Sequence, residues 1–231
     1  MSRKLRTPRK GGTKETRADV KARAEVARTA LPTHLVAVID RSGSMGGRVQ
    51  DVIGGFNTFL AEQKKLPGVA HLTLIQFDDK YEVNYSRRPI AECPELNAMT
   101  YQPRGSTALY DALGRAIREA ATDARVLVCV VTDGEENASR EVTRDNLKAL
   151  VEQKTGAGWQ FVYLASDPLA AAAAQSFGIL RSNTVVTMDS AIGVVASMSA
   201  VSKASAKYRS GQSAFTANEL NEDYAASLKG K

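Results

Sequence analysis

With 231 residues and 43% hydrophobic content, the chain has material for one sizeable core, so one domain with tails is the economical reading. No run of about 18 apolar residues occurs, which excludes a membrane span. The basic start MSRKLRTPRKGG lacks the apolar segment of an export signal, and a cytoplasmic protein is expected. The net charge of +6 is uneven: residues 1–30 hold ten Lys or Arg against three acids, while residues 31–231 hold 21 bases and 22 acids.

Residues 1–30 form a basic arm, expected to be disordered at first and then partly helical. Thr16-x-x-Asp19 is a capping-box variant, and alanines continue to Leu31-Pro32, which ends any helix. The arm is open to two readings: attraction to nucleic acid or an acidic partner, or a solvated extension that aids solubility. It has no aromatic residue that could stack on a base.

Leu35 to Ile39 is an unbroken apolar run, the mark of a parallel strand covered on both faces. It runs straight into Asp40, with Ser42 and Ser44 following at alternate positions. Val49, Val52, Ile53, Phe56 and Leu60 then make one stripe at helical spacing. His71 to Phe77 predicts a second strand, and Tyr81 to Tyr85 an antiparallel edge strand joined to it by a short turn. Residues 87–106 are loop-rich and deliver Thr107 to the start of a helix over Thr107 to Thr122. The fourth strand, Val126 to Val131, leads to Asp133. A helix near Thr143 to Lys154, a strand Trp159 to Leu164, an alanine-rich helix from Asp167-Pro168 and a short strand Thr184 to Thr187 follow. A last helix has Val194, Met198 and Val201 on one face, and residues 207–231 read as a polar tail with room for some helix. Cys129 lies in a predicted buried strand, where a core role fits better than disulfide or metal chemistry.

Alternating strands and helices of this kind predict a Rossmann-like, doubly wound α/β sheet of six mostly parallel strands, with one antiparallel edge strand and helices on both faces. If the strand order is 3-2-1-4-5-6, the first and fourth strands are neighbours at the switch point, and Asp40 and Asp133 face each other across it. Asp40, Ser42 and Ser44 offer only oxygen, as a hard divalent cation requires; three neighbouring ligands cannot fill an octahedron, so others must come from elsewhere in the chain.

Asp40-x-Ser42-x-Ser44, then Thr107, then Asp133-Gly134 resembles the metal ion-dependent adhesion site of von Willebrand factor A domains. All five positions of that motif occur in order, the likeness covers roughly residues 33–206, and free-standing A domains of bacteria and phages look nearest. The resemblance implies an A domain over residues 31–206 that binds Mg2+, with Mn2+ and Ca2+ as alternatives, through Asp40, Ser42, Ser44, Thr107 and Asp133. It further implies a partner protein that presents Asp or Glu to the ion. A purely structural ion is the alternative, and a site at solvent-facing strand ends speaks against it. Arg41, Met45, Asp78, Glu135, Glu136 and Asn137 are expected around its rim.

Catalysis is not expected. The only two histidines, His34 and His71, open predicted strands at the edge of the sheet opposite the serines, which leaves no Ser-His pair. G-x-S-x-G and G-x-x-x-x-G-K are both missing. A Mg2+-dependent phosphatase of the haloacid dehalogenase type is the stronger enzyme alternative, but its second aspartate would fall at Ser42.

Overall fold

An apolar run without alternation has two faces to bury, and a strand between two helix layers buries both. Thr33–Asp40 (β1), Arg125–Thr132 (β4) and Gln160–Ala165 (β5) are buried at every position, and Ala70–Phe77 (β2) at all but His71. The computed structural model describes residues 31–120, 123–133, 135–187, 191–212 and 219–229. It joins these strands with Tyr81–Pro89 (β3) and Thr184–Val186 (β6) in one sheet of order β3-β2-β1-β4-β5-β6. Every neighbouring pair is parallel except β2 and β3. This is the doubly wound sheet predicted from the sequence; the basic arm lies outside the described residues.

Alternate residues of β1 feed two cores. Leu35, Ala37 and Ile39 pack with Val49–Lys64 (α1), Ala191–Arg209 (α5) and Glu219–Lys229 (α6). Val36 and Val38 face the opposite layer, made of Leu109–Glu119 (α2), Arg144–Gly156 (α3) and Pro168–Ser176 (α4). Local chemistry starts the helices where the sequence suggests: Thr143 caps α3, and Asp167 accepts from Leu169 and Ala170 at the head of α4. Gly55 lets α1 and α5 approach, since a Cβ there would meet Met198 Cγ at 2.9 Å.

Two elements differ from expectation. β3 continues beyond Tyr85 to Pro89, because its ladder with β2 resumes after register shifts, pairing Leu72 with Arg88 and His71 with Pro89. Arg87 sits at φ 44° in this irregular stretch, and its amide donates to Thr73 Oγ1 at 2.9 Å. The expected tail contains α6, whose Leu220 and Tyr224 are buried in the α1/α5 core, and α5 itself runs through residue 206. Among the described residues no helix is long and apolar enough to cross a membrane.

Candidate metal centre

The five candidate ligands lie at the C-terminal edge of the sheet. Asp40 ends β1, Ser42 and Ser44 lie just after it, Thr107 precedes α2 by two residues, and Asp133 directly follows β4. Because β1 pairs with β4 up to Ile39 and Val131, Asp40 comes beside Thr132. The Thr132 hydroxyl donates to Asp40 Oδ2 at 2.7 Å, and the Ser42 amide donates to Oδ1 at 2.7 Å. Tyr101 Oη donates to the Asp40 carbonyl at 2.6 Å. Asp40 is fully buried, and burial pushes its carboxyl up to about 6 against the lowering effect of these hydrogen bonds. The Asp133 charge adds to the rise.

The other three candidate ligands are hydroxyls. Ser42 Oγ and Ser44 Oγ are 3.0 Å apart. Thr107 is 1% exposed, and its Oγ1 has no hydrogen-bond partner among the described residues. Backbone bonds draw its loop to the serine loop: Gly43 N donates to the Gly105 carbonyl at 3.1 Å and Arg104 N to the Arg41 carbonyl at 2.8 Å. Gly105 has φ +69°, a left-handed conformation that favours glycine, and a Cβ on it would meet Asp79 Oδ1 at 2.5 Å. Asp133 is half-buried, and its carbonyl accepts from Ser166 Oγ at 2.9 Å.

The surrounding residues depart from the expected rim. Met45 packs in the core, and Asp78 is fully buried. Arg41 is buried and contacts Asp78 and Glu82. Glu136 is a capping group, accepting from the Tyr110 amide, the Ser139 amide and the Ser139 hydroxyl. Glu135 and Asn137 are exposed, and Asn137 Oδ1 also accepts from the Thr107 amide at 2.8 Å. Tyr101 and Thr132 were missed by sequence reasoning; the only cue was the position of Thr132 directly before Asp133.

No protein-family model matches this sequence, and no curated protein sequence does. Solved structures do match. The pilus adhesin SpaC of Lactobacillus rhamnosus GG, in an open conformation, superposes with TM-score 0.59 at 16% identity over 77% of this chain and 30% of its own. A von Willebrand factor type A structure from Catenulispora acidiphila gives TM-score 0.52 at 16% identity over 76% of this chain and 43% of its own. This chain has a von Willebrand factor A fold. The mussel byssus proximal thread matrix protein 1, solved with a zinc-occupied MIDAS motif, gives TM-score 0.57 at 15% identity over 78% of this chain and 47% of its own. The chain thus spans less than half the length of each of these structures.

The candidate ligands that this fold carries near the strand ends suit a hard divalent cation. All the donors are oxygen, and Thr107 Oγ1 is a buried acceptor left without a bond. Among the described residues no three His, Cys, Asp or Glu side chains cluster as a metal site, so an ion here would depend on the hydroxyls as well as the two carboxylates.

Proposed function

We propose that this A domain binds Mg2+, or Mn2+ or Ca2+ in its place, and uses the ion to dock an acidic side chain of another protein. Asp40, Ser42, Ser44, Thr107 and Asp133 would hold it. The observation that carries this reading is the Thr107 hydroxyl, buried and without a hydrogen-bond partner among the described residues, on a loop that backbone bonds join to the serine loop. Two carboxylates roughly balance a divalent charge, and neutral hydroxyls in the remaining positions do nothing to reduce it further. When bound, the ion would supply a Lewis-acidic centre that an Asp or Glu oxygen could coordinate.

Binding rather than catalysis is the proposal, and the placement of the imidazoles supports it. His34 and His71 are paired across β1 and β2 near the N-terminal ends of those strands, and His34 Nε2 lies 2.8 Å from Thr73 Oγ1. The serine hydroxyls contact each other at the opposite end of β1. The described relatives add support: one is a pilus adhesin, and another was solved with its MIDAS occupied by zinc.

Affinity capture on the immobilised protein tests the reading. Proteins retained in Mg2+ should be released by EDTA and should not be retained by Asp133→Ala. Retention that ignores both EDTA and the substitution would contradict it.

A further inference from the structure

The loop that carries Thr107 belongs to no helix or strand, yet it must hold its hydroxyl in place relative to Ser42 and Ser44. Four charged side chains surround the base of that loop. Arg41 lies between Asp40 and Ser42 in sequence, Arg104 three residues before Thr107, and Asp78 and Glu82 flank the β2–β3 turn. Arg104 Nε donates to Asp78 Oδ2 at 2.8 Å, and Arg104 Nη2 donates to Glu82 Oε1 at 2.5 Å. Arg41 contacts the same two oxygens, Asp78 Oδ2 from Nε at 3.2 Å and Glu82 Oε1 from Nη2 at 2.5 Å. Asp78 Oδ1 accepts from the Lys80 amide at 2.7 Å, and the Asp78 carbonyl accepts from the Ala108 amide at 2.9 Å. Each arginine therefore spans both carboxylates, and each carboxylate joins both metal-bearing loops to the hairpin.

We propose that Arg41, Asp78, Glu82 and Arg104 form a charge latch that positions Thr107 against the serine pair, making Arg104 and Glu82 positioning residues for the metal. This inference rests on the metal-binding reading above. The inner pair, Arg41 and Asp78, is buried, whereas the side chains of Glu82 and Arg104 are 47% and 50% exposed. The outer pair can therefore be altered without leaving a buried charge alone, and such an exposed pair contributes little to global stability. The guanidinium of Arg41, then that of Arg104, draws the Glu82 carboxyl down to about 2, so Glu82 is charged at neutral pH.

The latch differs from a simple charge effect in sign. By charge alone, Glu82→Gln would weaken binding of a cation and Arg104→Gln would strengthen it. By positioning, both should weaken it. Mg2+ titration by calorimetry on the full chain is the test, with Glu82→Gln, Arg104→Gln and the double variant beside the wild type. Each single variant should bind about tenfold more weakly, the size typical of lost outer-shell support. The double variant should lose less than the two single effects combined, because both substitutions remove the shared Arg104–Glu82 contact. Urea midpoints of the metal-free proteins should stay close to wild type. Wild-type affinity in both single variants, tighter binding in Arg104→Gln, or additive losses in the double would overturn the latch. Absence of Mg2+ binding by the wild type would instead overturn the metal-binding reading beneath it.

Discussion

Thr107 has a hydroxyl that is buried and has no hydrogen-bond partner among the described residues, an arrangement that costs free energy unless a ligand completes it. Thr107→Val removes that oxygen at nearly constant shape. The metal-free protein should then keep its stability or gain up to about 1 kcal/mol, while Mg2+ affinity falls about tenfold for a lost contact of about 1.4 kcal/mol. Thermal unfolding without metal and calorimetry with it would show the two effects moving apart; a fall in both together would make Thr107 a structural residue only. The motif residues were legible because each stands at the end of an apolar strand or the head of a helix, where a sequence pattern shows it. Arg41 was not legible: nothing local says that its guanidinium turns inward to Asp78 and Glu82, residues brought close by the β1–β2 pairing. Tyr101, 61 residues from Asp40 in the chain, was hidden for the same reason.

At the scale of elements, the central strands were legible because burial on both faces leaves a continuous apolar run. β3 was readable only where Tyr81, Val83 and Tyr85 alternate; its continuation to Pro89 depends on the β2 ladder, which no pattern within residues 86–89 records. The segment beyond α5 looked polar because a short helix needs few apolar residues to dock. In α6 these are Leu220 and Tyr224, four residues apart on one face, and both are buried. Leu220 is 1% exposed, so Leu220→Ala should lower unfolding stability by about 2–4 kcal/mol, measured as a shift of the urea midpoint. A change close to zero would mean that α6 contributes nothing to the core.

At the scale of the whole molecule, sheet order does what no single segment can. The order β3-β2-β1-β4-β5-β6 makes β1 and β4 neighbours, and this brings Asp40 against Thr132, the residue before Asp133. The loops after β1 and before α2 add hydroxyls to the same edge, and hydrogen bonds between those loops join them. The central claim is that these oxygens form one site for a divalent cation, and Mg2+ titration of wild type and Asp40→Ala by calorimetry tests it most directly. The account predicts saturable binding of one ion by the wild type and none by the variant; equal binding by both proteins, or none by either, would contradict it.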